Sequence, residues 1–134
     1  MDCVDFMLSR EEEYAKALTL AHEAKRAAIR SRELTSLLEA EIVAAAQAEG
    51  LIDGKNAEER KVQLVSIPRQ NERYQTGWIA TVKAEETSAE QDMLLKIAEI
   101  RYKTAIELIR WATAHGALTV EDVLYSKLEE IEGE

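Results

Sequence analysis

The amino-acid sequence predicts an all-α protein, built as a long helical hairpin or an antiparallel coiled-coil-like bundle with a short C-terminal helix. Five glycines and one proline occur among 134 residues, whereas β-rich folds need frequent turns. Alanine, leucine, glutamate, lysine and arginine are abundant, as in long helices. Hydrophobic residues make up 46% of the chain, which is enough for an ordered core in a single domain over 1–134.

The first predicted helix covers about 9–49. Ser9 and Glu12 have the spacing of a capping box, which indicates a helix start. Apolar residues then recur at three- and four-residue steps, and we expect the second half, with Leu34 and Leu37, to be the better buried. The predicted stripe comprises Tyr14, Leu18, Ala21, Ala24 or Lys25, Ala28, Leu34, Leu37, Leu38, Ile42 and Ala45.

A turn over 50–56 separates this helix from the next one. Gly50 and Gly54 supply the backbone freedom that ends one helix and redirects the chain. Asn56 is a suitable N-cap, because its side-chain oxygen can accept from a backbone N–H two or three residues later. The turn therefore predicts a helical hairpin.

A short helix over 57–67 follows the turn. Pro68 lacks a backbone donor, so we expect a break or kink over 67–71. A second long helix is predicted over about 71–114, and its charged stretch 83–92 either continues the helix or interrupts it. The predicted stripe comprises Tyr74, Trp78, Val82, Ala89, Met93, Ile97, Ile100, Ala105, Leu108 and Trp111.

Gly116 marks the end of the second long helix, since glycine readily adopts the left-handed conformation found there. Thr119, followed by Asp122, predicts the start of a last helix over 119–131. The two long stripes keep no strict heptad for long, which favours an antiparallel hairpin that oligomerises over a regular parallel zipper.

The formal net charge of −9 disfavours generic binding to nucleic acid or to anionic membranes. No transmembrane run occurs, and we expect a cytoplasmic protein. Cys3 is the only cysteine, and we expect it in a mobile N-terminal segment. His22 and His115 belong to no metal-ligand motif. With no catalytic constellation either, the sequence predicts a non-enzyme without cofactor or metal.

Positive charges gather around the two breaks in the middle of the chain. Beside them, Tyr74 and Trp78 suit either stacking on single-stranded nucleic acid or burial in the helical core. We favour burial, because their four-residue spacing matches the helical stripe. The candidate partner-binding residues are Lys55, Arg60, Lys61, Arg69 and Arg73.

The segment 53–60, Asp-Gly-Lys-Asn-Ala-Glu-Glu-Arg, is followed by Gln63 and Leu64. It resembles a Gly-Lys-Asn-Ala-Glu/Asp-x-Arg turn between two long helices in small helical proteins encoded by bacteriophages and prophages. The resemblance implies an accessory role in a phage-infected bacterial cell, in DNA metabolism or in countering host defence. It implies no catalytic residue.

Three functions follow as hypotheses. The first is a phage accessory protein that forms a helical homo-oligomer and acts on a protein partner. The second is a nucleic-acid accessory protein of phage replication or recombination. The third is an oligomer that binds a small ligand, such as a nucleotide, between its helices.

Overall fold

The computed structural model describes residues 2–116 and 119–133, and at residue 126 the backbone alone. Helix α1 packs against helix α3, and the described residues form no strand, which confirms the predicted all-α hairpin with a short C-terminal helix. The helices are α1 (Cys3–Ala48), α2 (Ala57–Arg69), α3 (Glu72–His115) and α4 (Val120–Glu132).

The chain divides into two compact units. The terminal unit comprises Met1–His22 and Glu90–Glu134, and the central unit comprises Glu23–Ala89. The expectation of a single domain stays a prediction. Both long helices contribute to each unit.

The α1–α3 pairing is antiparallel in the terminal unit. Cys3, at the start of α1, clusters with Ala112 near the end of α3. Further along α1, Tyr14 stacks on Tyr102 with 5.6 Å between ring centroids. As residue numbers rise along α1, the partners on α3 therefore fall.

Helix α1 begins at Cys3, so the start predicted at Ser9 is wrong. The Oδ1 atom of Asp2 accepts from the backbone N–H of Val4 at 2.8 Å and from that of Asp5 at 3.3 Å. Asp2 thus satisfies the free amides of the first turn. Ser9 lies inside the helix, where its spacing from Glu12 has no capping role.

Helices α1 and α3 pack through a strict heptad, contrary to the sequence-based expectation. On each helix, buried and half-buried side chains recur at alternating three- and four-residue steps, which is the spacing of coiled-coil a and d positions. We call these two series the seam. The α1 series is Cys3, Met7, Arg10, Tyr14, Ala17, Ala21, Ala24, Ala28, Ser31, Thr35, Leu38 and Ile42. The α3 series is Tyr74, Gly77, Thr81, Ala84, Ser88, Gln91, Leu95, Ala98, Tyr102, Ala105, Ile109 and Ala112.

Small side chains dominate the seam. Among the described residues, six of the eight buried apolar residues are alanines. Small residues let two helix backbones approach closely, and they leave little room for leucine or isoleucine between them. The alanine-rich first half of the predicted α1 stripe is confirmed.

The expectation that the leucine-rich half of α1 is better buried is wrong, since Leu34 is 60% exposed and Leu37 is 64% exposed. The side chains of Thr35 and Leu38 occupy the inward positions instead. Other residues of the two predicted stripes are exposed as well: Ala45, Trp78, Ala89, Met93, Ile97 and Ile100.

A network of three hydroxyl groups connects α1 to α3 in the central unit. Thr81, which is 2% exposed, donates its hydroxyl proton to the Gly77 carbonyl at 2.9 Å. With its proton on that carbonyl, Thr81 Oγ1 can accept from the hydroxyls of Ser31, at 2.9 Å, and Thr35, at 3.1 Å. A Cβ at Gly77 would lie 3.0 Å from Thr35 Oγ1. Glycine therefore admits Thr35, and the network fixes the register of the two helices.

In the turn over 50–56, the residues predicted to end one helix and to cap the next do so. Gly50 adopts a φ of 71°, and Leu51 N donates back to Ala46 O at 2.9 Å, as in a Schellman motif. Asn56 caps α2, since its Oδ1 accepts from Glu59 N at 2.9 Å. Helix α2 begins at Ala57, as the sequence predicts.

The break predicted over 67–71 is confirmed, since α2 ends at Arg69 and α3 begins at Glu72. It begins later than expected, because Pro68 still belongs to the last turn of α2, where its fixed φ is compatible with the helix. The chain leaves the helix after Arg69, and Asn71 N donates to Pro68 O at 3.0 Å. Asn71 then caps α3 by accepting from Tyr74 N at 3.2 Å.

Helix α3 continues through 83–92 without interruption. At its end, Gly116 adopts a φ of 68°, as expected for a left-handed helix stop. Thr119 caps α4 through a hydrogen bond from Asp122 N to its Oγ1 at 3.1 Å. Both capping predictions are confirmed.

Cys3 is buried rather than mobile, in a cluster with Ala112 and Val123. Burial raises the pKa of the Cys3 thiol above its ordinary value of 9.0, and the nearby carboxylates of Asp2 and Asp122 add to the rise. The folded state therefore favours the neutral thiol. This contribution to stability is full below the unfolded pKa and is lost as pH rises through the higher folded pKa.

We expect a thiol-reactive dye to label Cys3 more slowly in the native protein than in the urea-unfolded chain at mildly alkaline pH. Burial restricts access, and the raised pKa lowers the thiolate fraction. Cys3 is the only cysteine, so absorbance of the released dye reports this site alone. Equal native and unfolded rates would contradict the buried position.

Candidate functional site

The segment that leads into α2 is held by its own side chains. Gln63 accepts from Gly54 N at 2.9 Å and donates through Nε2 to Asp53 Oδ1 at 2.8 Å. Glu59 Oε2 accepts from Lys55 N at 2.7 Å. The Arg60 guanidinium donates to Gly54 O at 3.1 Å. These bonds fix the entry of the chain into α2.

Glycine is required at position 54 because neighbouring atoms leave no room for a Cβ, and not because of its φ. An added Cβ would lie 2.8 Å from Arg60 N and 2.8 Å from Glu59 Cβ. Hydrogen bonding and packing within the turn therefore explain the residue types at Gly54, Asn56, Glu59 and Arg60.

All five candidate basic residues are exposed and belong to the central unit, but the structure brings only part of the set together. The guanidinium of Arg60 is engaged by the turn itself. Lys55 lies in the same loop, and Arg73 lies in the first turn of α3. Lys61 and Arg69, both on α2, line one open groove of about 530 Å³ with Val62 and Val65.

Arg69 also lines a second open groove of about 410 Å³, with Tyr74, Trp78 and Ile79 from α3. Trp78 is 51% exposed, so its expected place in the core is wrong. The adjacent Gly77, rather than Trp78, faces the seam. We call the exposed side chains around these two grooves the corner surface: Lys61, Val62, Val65, Arg69, Trp78 and Ile79.

The corner surface combines apolar side chains with cations in an acidic protein of net charge −9. Within residues 2–116 and 119–133, neither Lys61 nor Arg69 forms an ion pair. Arg32 differs, because it donates from Nε to Glu85 Oε1 at 2.8 Å. The cations of the corner surface are therefore available to an acidic partner.

A second exposed apolar surface lies on α4 and was not among the sequence-predicted sites. Val123 is 0% exposed and packs inward in the terminal unit. Leu124, Leu128 and Ile131 recur at four- and three-residue steps and are exposed, so they share the outward side of the helix. The sequence contained a signal for this surface, because the apolar residues of α4 are too many to lie on one buried side of the helix.

An acidic row borders this α4 surface. Asp122, Glu129 and Glu132 are exposed, and Tyr125 lies between the first two at helical spacing. Lys127, the one basic residue of α4, places its Nζ 5.9 Å from the centroid of the Trp111 ring. We call the outward apolar residues and this acidic row together the α4 surface.

The described residues show no three His, Cys, Asp or Glu side chains that converge as around a metal ion. None of the helices in the described ranges combines the length and apolar character that crossing a membrane requires.

His115 stacks on Trp111 and bonds through Nδ1 to the Trp111 carbonyl at 2.9 Å.

Comparison with known proteins gave no match to a family model, a curated protein or a solved structure.

Proposed function

We propose that this chain is a non-enzymatic helical protein that assembles with itself and acts by binding another protein. One observation supports self-assembly: large apolar side chains lie outside the seam on both long helices. On α3, Met93, Ile97 and Ile100 form one exposed row at four- and three-residue steps. Contiguous exposed apolar surface is a mark of protein–protein contact.

The energetic reason for assembly is the cost of leaving these side chains in water. Burying one leucine or isoleucine side chain fully contributes about 1.5–3 kcal/mol. In the seam, alanine, serine and threonine occupy half of the inward positions, so the large residues that lie outside the seam gain burial only from a further helix. A second copy of the chain supplies such a helix.

Size-exclusion chromatography with light scattering should give a mass above the 15.1 kDa of one chain at micromolar concentration. By mass action, dilution should lower that mass. A constant mass of 15.1 kDa throughout a micromolar dilution series would contradict self-assembly.

The proposal includes an accessory role in a bacteriophage or prophage, with counteraction of host defence as one form of it. Its support is the resemblance of the segment 53–60. The turn's own hydrogen bonds engage Asn56, Glu59 and Arg60, so we use the resemblance as support for the origin of the protein. Flanking genes that encode phage proteins would support this role, and housekeeping genes on both sides would oppose it.

A nucleic-acid accessory role is the second candidate, and the exposure of Trp78 beside Arg69 favours it. An aromatic ring next to a cation can stack on a base and contact a phosphate. The net charge of −9 opposes this role, since it repels the nucleic-acid backbone. A gel shift of single-stranded DNA that weakens with salt would support it, and no shift at low salt would rule it out.

A further inference from the structure

We propose that the corner surface of one copy binds the α4 surface of a second copy. This inference rests on the proposed self-assembly and assigns it one interface, which is separate from the exposed row of Met93, Ile97 and Ile100 on α3. Both surfaces present apolar side chains, and their charges are opposite. The cations are Lys61 and Arg69, and the anions are Glu129 and Glu132.

Charge complementarity selects the α4 surface as the occupant. Helix α4 carries five acidic residues and one lysine, and that lysine is directed to Trp111. Attraction between an acidic helix and the local cations speeds encounter and selects the partner. Exposed ion pairs contribute little free energy by themselves, so the apolar contacts must supply most of the affinity.

The shapes are suited as well. The α4 surface presents Leu124, Leu128 and Ile131 in one row, with Tyr125 beside it. The corner surface offers two open grooves of about 410 Å³ and 530 Å³. An amphipathic helix that places such anchors in apolar grooves is a common recognition mode.

The two surfaces differ from each other, which constrains the assembly. Two copies that each dock the α4 surface on the other's corner surface form a closed dimer, whereas one-way docking extends into a ring or a chain. Both arrangements bury the same residues. The same variants therefore test both, and light scattering distinguishes them.

Charge reversal tests the inference on the full chain. Lys61→Glu with Arg69→Glu, and separately Glu129→Lys with Glu132→Lys, should each weaken self-association by at least about tenfold, because like charges then face each other. A chain that carries all four substitutions should regain it. Lys25→Glu with Arg26→Glu is the matched control, since both residues are exposed on α1, and it should leave the mass unchanged. Circular dichroism checks that each variant keeps its helices.

The outcomes separate this inference from the proposed function. A parent chain that is monomeric overturns both. A parent oligomer that survives both reversals overturns the interface and leaves self-assembly standing. Reversal at Lys61 and Arg69 that abolishes binding of single-stranded DNA, with the mass unchanged, assigns the corner surface to nucleic acid and overturns the inference.

Discussion

Replacing Ala28 with leucine should lower the free energy of unfolding by about 1–3 kcal/mol, the range for overpacking a close-packed interior. Ala28 is 8% exposed and holds a seam position between Ala24 and Ser31. A leucine there needs space that the close approach of two helices does not leave. Urea unfolding followed by circular dichroism, at one fixed protein concentration, measures the change.

The matched control is Ala27→Leu, one residue earlier on the same helix. Ala27 is exposed, and alanine and leucine differ little in helix propensity. Its free energy of unfolding should therefore stay within about 0.5 kcal/mol of the parent value. Equal losses at the two positions would contradict the seam as described.

Replacing Thr81 with valine should cost about 1–3 kcal/mol, the range for leaving buried polar groups without a partner. Valine keeps the shape of threonine but removes the hydroxyl that hydrogen-bonds with Ser31 and Thr35. The loss comes from those two stranded donors more than from the hydrogen bonds themselves. Urea unfolding again gives the difference in free energy.

A triple variant distinguishes this cause from a packing defect. Adding Ser31→Ala and Thr35→Val to Thr81→Val removes the donors along with their acceptor. Replacing all partners with apolar groups of similar shape is close to neutral, so stability should return to near the parent value. A triple variant less stable than Thr81→Val alone would show that the hydroxyl network is not the source of the loss.

Features set by a few consecutive residues could be predicted from the sequence. Asn56 and Thr119 cap their helices as expected, and Gly116 adopts the left-handed conformation. In each case the controlling hydrogen bond or backbone angle involves residues within about one helical turn. The start at Ser9 was wrong because the same logic applies to Asp2, which caps the helix earlier.

The position of the seam could not be predicted from the spacing of large apolar residues. Leu34 and Leu37 are exposed while Thr35 is buried, because close helix approach favours small side chains over large ones. A search for small residues at alternating three- and four-residue steps finds only part of the seam, over 17–35 on α1 and 77–88 on α3. The hydroxyls of Ser31 and Thr81 satisfy each other only across the two helices, a pairing that no local pattern reveals.

The same contrast between local features and tertiary packing holds for the candidate site. The sequence by itself determined that cations gather around the turn and Pro68, and that α4 is an acidic amphipathic helix. Only the tertiary structure decided that Lys61 and Arg69 border apolar grooves, that Arg60 is engaged by the turn, and that Trp78 is exposed. The physical reason is that exposure depends on which side of each helix is used in packing. In this protein small residues take the fully buried positions of the seam, and many of the larger residues lie outward.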